Sequence, residues 1–358
     1  MAAILDNDLI EFLDFIEENE NIERERQLPR RYVRDMENPL EYYNDDQFFK
    51  RYRFSKNTVT EAILPLVQFQ EQRTQRGLPI PPILQILCAL RFYATGDFQI
   101  VLGDLQKIHQ TTMSRIIRRV STEIARHLRQ FVKFPSTEED YNVNRNMFHA
   151  IAQFPGISGV IDCTHIPIQS PGGQFAELYR NRKGWMSLNV QLICGPRMEI
   201  LDIVSRWPGS THDSRIFMNS AICQKFVNGI VRGILLGDNG YPQLPYLFTP
   251  VLEHHLRTPA ERRYNRAHRT TRNIIERLNG IWKQRFPCLR RRLLTKPVTT
   301  QAVIVACAIL HNIGILRQDI FENVEEVPLD IVPVANANAA QNPRGHIVRQ
   351  QFIQRHFM

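Results

Sequence analysis

The spacing of apolar residues changes several times along the chain, and each change marks an element. Leu9, Phe12, Leu13 and Ile16 recur at helical intervals among acids, so the opening segment reads as a short acidic amphipathic helix. Residues 24–46 are charged and irregular, with a breaker at Pro39. From Phe48 the pattern turns helical, with Ser55 suited to an N-cap. Pro81 and Pro82 suit the first turn of a helix. Ile83, Leu84, Ile86, Leu87, Leu90 and Phe92 then make it a buried one, until Thr95-Gly96 ends it. A short helical signal follows at 102–109. After Gln110-Thr111-Thr112, the residues Met113, Ile116, Ile117, Val120, Ile124 and Leu128 fall on one stripe.

That stripe leaves Arg115, Arg118, Arg119, Thr122, Arg126 and Arg129 facing outward. Two readings stand side by side. One is a helix-turn-helix whose second helix meets base edges or phosphates through Thr111 to Arg119; the other is an ordinary amphipathic helix with a solvated face.

Phe134 to Asn146, with Pro135, Ser136 and an acidic triplet, reads as a linker. Beyond it the period drops to two. Gly159 to Ile168, Met186 to Cys194 and Met198 to Val204 are strand signals, the second alternating Ser187, Asn189 and Gln191 with Leu188, Val190 and Leu192. Thr211 to Phe226 reads as a helix, Gly233 to Gly237 as a short buried strand and Asn265 to Phe286 as a long helix. This order describes a mixed α/β layer fold. Val332 to Gly345, rich in Ala, Asn and Pro, reads as a disordered tail.

Charge sharpens the picture. The 358 residues carry a net +9, yet residues 1–26 hold nine acids against two bases, so the remainder carries +16. A body this basic favours polyanions. Six scattered cysteines without C-x-x-C spacing argue against a disulfide scaffold or structural zinc and for a reducing compartment, cytosol or nucleus. The N-terminus is acidic where a secretory signal needs bases, and the apolar run 302–316, interrupted by His311 and Asn312, reads as too short to span a bilayer.

Carboxylates beside buried strands are costly unless compensated. Asp162 lies within G-V-I-D-C-T-H, and Asp238 follows Leu235 and Leu236 in I-L-L-G-D-N-G-Y-P. Each alone is explained by a turn at a strand end; two in one domain point to a shared cation, for which oxygen ligands suit Mg²⁺ or Mn²⁺. Glu276 lies off the buried stripe of its helix, beside Arg272, Asn279 and Lys283. Its plainest role is an ion pair with Arg272. From 257 to 296, however, thirteen bases surround only two acids, Glu261 and Glu276. Arg262, Arg263, Arg266, Arg269 and Arg272 have the density that phosphate neutralisation requires, while carboxylates holding two ions, ~3.5 to 4 Å apart, are the equipment of phosphodiester cleavage.

The run G-V-I-D-C-T-H-I-P-I, then Y-R-N-R-K-G-W-M-S-L-N-V-Q, W-P-G-S-T-H-D-S-R-I-F, L-L-G-D-N-G-Y-P, T-P with R-Y-N, and I-I-E-R-L-N-G-I-W-K-Q-R-F-P-C-L resembles the PIF/Harbinger transposase superfamily over residues 157–316. Within it, the chain is similar to the domesticated animal branch, the Harbinger transposase-derived nucleases. The resemblance implies an α/β RNase H-like mixed-sheet core with a DDE triad at Asp162, Asp238 and Glu276. It also implies an all-helical N-terminal region with a helix-turn-helix, and a separate Myb/SANT-like nuclear protein as partner.

The expected organisation is an acidic helix and irregular segment (1–46), a helical region (47–133), a linker (134–156), the nuclease domain (157–318) and a mostly disordered tail (319–358). DNA contacts are expected from Arg115, Arg118, Arg119, Arg262, Arg263, Arg266, Arg269, Arg272 and Lys283. Arg180, Arg182 and Lys183 either reach substrate phosphate or solvate a loop. Asp213, at the start of a helix, is an auxiliary metal candidate, whereas His212 fits helix capping and His165 core packing. Basic runs at Arg262 and Arg290-Arg291-Arg292 suit nuclear import. The leading expectation is a metal-dependent DNA nuclease; the alternatives are a catalytically silent nuclear DNA-binding adaptor and a still-mobile transposase.

Overall fold

Side chains alternating along five strands divide the interior in two. The computed structural model describes residues 38–68, 80–105, 108–319, 321 and 342–358, and the fold below is that of one unit, Pro39–Glu71 with Ile80–Met358. The acidic helix expected at Leu9 to Ile16 lies outside the described residues, as does 332–341 of the expected tail.

Helices α1 (Pro39–Tyr42), α2 (Asp45–Tyr52), α3 (Pro82–Thr95), α4 (Gln99–Leu105), α5 (Gln110–Arg126) and α6 (Leu128–Phe131) precede the sheet. Gly96, at φ 66°, ends α3 in the left-handed conformation that glycine adopts without a Cβ penalty. In α5, Met113, Ile116, Ile117, Val120 and Ile124 are buried as their spacing predicts, while Arg115, Arg118 and Arg119 are exposed. The helix starts earlier than expected, because His109 Nδ1 accepts the Thr111 N–H and caps it.

The segment read as a linker instead forms α7 (Glu138–Ala152), with Thr137 as its cap. The acidic triplet suits the positive end of the helix dipole. Tyr141, Asn144 and Phe148 are buried, and Asn144 Nδ2 donates to Ser158 O at 3.0 Å. The polar first turn concealed a helix whose apolar residues are few but well placed.

Strands β1 (Ile157–Pro167), β2 (Ser187–Cys194), β3 (Ile200–Pro208), β4 (Ile234–Leu236) and β5 (Leu247–Phe248) form one sheet in the order β3-β2-β1-β4-β5. The first three are antiparallel neighbours; β4 runs parallel to β1, and β5 parallel to β4. Val160, Leu192, Ile200, Leu236 and Phe248 enter the larger core, and their neighbours Ile161, Ile193, Leu201, Leu235 and Leu247 enter the smaller one. The smaller core is closed by α8 (Asp213–Met218) and α9 (Ala221–Val227). A single helix was expected there; Ser220 interrupts it by accepting the Cys223 N–H at its own side chain.

The larger core is covered by α10 (Pro259–Arg285) and α11 (Pro297–Leu316). At 20 residues, α11 is long and apolar enough to cross a membrane, contrary to the expectation from the shorter run. It is nevertheless a core helix, with Val303, Ile304, Ala306 and Cys307 fully buried. Its polar residues stitch it to the sheet: Asn312 exchanges two 2.8 Å hydrogen bonds with the backbone of Ile200, and His311 Nε2 donates to Met198 O at 2.9 Å. The chain then closes with α12 (Pro343–His356), where disorder was expected. Phe352 stacks on Phe154 at 5.3 Å, Phe357 meets Tyr264 at 5.7 Å, and Arg263 donates to Phe357 O.

Candidate active site

Strand register brings the first two acids together. Val160 is paired with Leu236 on the adjacent parallel strand. Two residues further along, on the same side of the pleat, stand Asp162 and Asp238. The spacing of neighbouring strands, ~4.7 to 4.9 Å, therefore sets the separation of their backbones. Asp238 sits where β4 gives way to a turn, its Oδ1 accepting the Gly240 N–H at 2.9 Å. A Cβ at Gly240 would lie 2.9 Å from that oxygen and 3.6 Å from Asp213 Oδ2, so the Asp238 and Asp213 carboxylates both border this glycine.

Helix α10 crosses the same side and brings Glu276. Arg272, one turn earlier, joins all three acids: Nη1 is 2.6 Å from Glu276 Oε1, and Nη2 is 3.6 Å from Asp162 Oδ1 and 3.9 Å from Asp238 Oδ2. The helical ion pair and the carboxylate cluster, alternatives in the sequence, are thus both present. Asn279, on the same face of α10, donates to Asp162 Oδ2 at 3.3 Å.

The environment of these groups is uneven. Asp162 is 16% exposed, against 28% for Glu276 and 40% for Asp238. Burial raises the Asp162 carboxyl well above the usual range; Arg272 opposes this, while Asp238 and Asp213 reinforce it. Asp213 is also raised, mainly by burial, despite the hydrogen bond its Oδ1 accepts from Asn189 at 2.9 Å. For Arg272, burial lowers the pKa, but the three carboxylates outweigh it and the net shift is upward.

Among the described residues no group of three or more His, Cys, Asp or Glu side chains is arranged to hold a metal ion as it stands. Arg272 lies between the acids instead. The donor set still fits a hard divalent cation in chemical kind, being rich in carboxylate oxygen. In addition, Asn279 Oδ1 beside Asp162 and Asn189 Oδ1 beside Asp213 are buried without a hydrogen-bond partner among the described residues.

The other basic residues differ in exposure and in the contacts they make. Arg262, Arg266 and Arg269 are exposed along α10, and Arg182 and Lys183 are exposed in their turn. Arg180 instead pairs with Glu177 at 2.8 Å. Arg263 is tied to the C-terminal helix. Lys283 donates to His165 O at 2.9 Å, and burial, with the nearby Arg290 and Lys183 charges, lowers its pKa to about 8. His165 lies on the opposite side of β1 from Asp162, with Nδ1 3.1 Å from Ser187 Oγ and its ring edge-on to Trp185. His212 occupies the N-cap position of α8 without a side-chain capping bond. Sequence reasoning does not single out Asn279 or Asn189 as site residues; for Asn279 the helical spacing from Arg272 and Glu276 is the available signal.

A mixed sheet with one aspartate in β1, a second just past the end of the parallel β4 and a glutamate on a helix across them is consistent with a nuclease domain of the DDE class. The model of the DDE superfamily endonuclease family matches residues 161–312. Over most of its length the chain is similar to the human protein named "Putative nuclease HARBI1", with 32% identity over 82% of this chain and 85% of that protein. It is also similar to the protein of the same name from Bos taurus, with 34% identity over 77% and 79%. To the Arabidopsis thaliana protein named "Protein ALP1-like" it is 25% identical over 71% of this chain and 65% of the other. The chain belongs to the family of Harbinger transposase-derived nucleases. No solved structure matches it significantly.

Proposed function

We propose that this protein is a divalent-metal-dependent DNA endonuclease in which Asp162, Asp238 and Glu276 are the catalytic triad. The observation that carries this reading is the meeting of the three acids, from β1, the end of β4 and α10, around one guanidinium. The strand order β3-β2-β1-β4-β5, with three antiparallel strands followed by two parallel ones, supports an RNase H-like core. Magnesium or manganese ions held by the triad, with Asp213 as an auxiliary ligand, would activate a water and stabilise the leaving oxygen.

The protein's own groups do the rest. Arg262, Arg266 and Arg269 offer charge to the DNA backbone beside the acids. Asn279 holds the rotation of the Asp162 carboxylate, and Asn189 that of Asp213. Helices α4 and α5 act as a helix-turn-helix, with Arg115, Arg118 and Arg119 toward DNA. A nuclear location and a Myb/SANT-like partner belong to the same reading, supported by the family and by the exposed basic run Arg290-Arg291-Arg292.

A second reading has its own support, because Arg272 already compensates the acids. In it, the protein is a DNA-binding adaptor that keeps the fold without turnover. Incubating the full chain with duplex DNA in Mg²⁺ or Mn²⁺, against EDTA and against Asp162→Asn, separates the two. Metal-dependent strand cleavage that disappears in the variant supports the enzyme; DNA binding with equal, background-level cleavage in both proteins supports the adaptor.

A further inference from the structure

Arg272 differs from the other arginines of α10. Its side chain is only 20% exposed, and its Nε is buried without a hydrogen-bond partner among the described residues. A guanidinium recognising one carboxylate would use its planar fork in a bidentate pair; here the two terminal nitrogens are divided among three acids instead. Charge places it, not shape. The guanidinium brings one positive charge to these acids where a divalent cation would bring two. A metal bound by the triad and the guanidinium need the same few ångströms, and at that separation like charges repel strongly.

We infer that Arg272 is an internal counter-ion that competes with divalent metal for the cluster of Asp162, Asp238 and Glu276, so that metal enters as the guanidinium leaves. The inference rests on the metal-dependent reading proposed above. In the metal-free chain, Arg272 keeps three mutually repelling acids assembled. It also scales the apparent metal affinity down to the fraction of molecules in which the guanidinium has left the cluster. Arg272 is thus a positioning residue for the site, acting through the acids.

Mn²⁺ binding to the full-length protein, measured by calorimetry and by the electron paramagnetic resonance of free Mn²⁺ without DNA or turnover, tests this. Arg272→Gln should bind Mn²⁺ roughly tenfold or more tightly than the wild type, and Arg272→Lys, which keeps the charge, should stay near it. Metal-free Arg272→Gln should melt at a lower temperature than the wild type and recover more on adding Mn²⁺. A residue that only supported the helix would lower the melting temperature with no gain in affinity, and that result would overturn the inference. Should the glutamine variant fail to fold, the wild type still decides. The ¹⁵N-detected Nε–H resonance of Arg272, assigned by its loss in the lysine variant, should shift as Mg²⁺ saturates the site. Saturable Mg²⁺ binding with that resonance unmoved overturns the competition while leaving the metal reading standing. Absence of any Mn²⁺ or Mg²⁺ binding removes the metal reading, and the competition with it.

Discussion

The carboxamide of Asn279 donates to Oδ2 of Asp162 at 3.3 Å, joining residues 117 positions apart, and its own Oδ1 is buried without a partner among the described residues. A strand acid is thereby held in rotation by a helix residue on the same face as Glu276. A hydrogen bond to a charged group contributes ~1.5 to 3 kcal/mol. Asn279→Leu, similar in shape but unable to donate, should therefore slow cleavage roughly 10- to 100-fold with DNA affinity unchanged. Single-turnover rates and fluorescence anisotropy on one duplex check this; an equal loss in both would make Asn279 a substrate contact instead.

Stability should fall as the medium is acidified from about pH 6.5 to 4. His268 and His311 are 1% and 2% exposed, each donates to a backbone carbonyl, and burial first of all lowers each to about 4. In this window the unfolded chain, with histidines near ~6.5, binds protons that the folded chain refuses, which is on the order of 3 kcal/mol for each histidine at the acid end. Asp162 has the opposite sign, since its raised pKa makes the metal-free fold lose stability as the pH rises through that range. Denaturant midpoints should accordingly decline toward pH 4 most clearly in Asp162→Asn, and less steeply once His268→Gln is added. A profile that adding His268→Gln leaves unchanged refutes the assignment.

The C-terminal helix should be required for stability. Ending the chain after Gln341 uncovers Phe154, Phe248 and Tyr264, which Phe352 and Phe357 cover, and removes the bonds from Arg349 to Thr249 O and from Arg263 to Phe357 O. The expected loss is on the order of 3 to 5 kcal/mol, the scale of truncating a buried aromatic side chain. Thermal unfolding of the truncated chain and of Phe352→Ala measures it, and an unchanged melting temperature would show the helix to be dispensable.

If α5 meets the DNA backbone, replacing both Arg115 and Arg118 by alanine should weaken binding to all sequences alike. It should also reduce the slope of log affinity against log salt by about 1 for each phosphate no longer neutralised. Both side chains point away from the apolar stripe and are exposed, so folding should be unaffected. An unaltered salt slope would leave α5 an ordinary solvated face.

Legibility followed the strength of local periodicity. The stripe of α5 is readable because burial repeats there at the period of a helix, whereas the strands around Val160, Leu192 and Leu236 announce themselves by their apolar residues although β2 is buried along its whole length. Helix α7 escapes such a reading because its exposed polar turns outnumber Tyr141, Asn144 and Phe148. Strand β5 escapes it because two residues carry no period. Helix α12 sets Phe352 and Ile353 against the core, but its apolar residues are few among Arg, Gln and His and follow a stretch without pattern. In the sequence Arg272 is one surface arginine among several, since spacing along α10 does not reveal what lies across from it.

The amino-acid sequence alone determined which acids stand out, because Asp162 and Asp238 each adjoin a run of apolar residues and Glu276 interrupts a basic helix. It also determined the alternation that commits one side of the sheet to α10. Only the tertiary structure decided that Val160 pairs with Leu236, which sets the two aspartates side by side, and that Arg272 reaches them together with Glu276. The physical reason is range: periodicity records which way a side chain faces within its own element, while charges interact through space with whatever packing brings within a few ångströms.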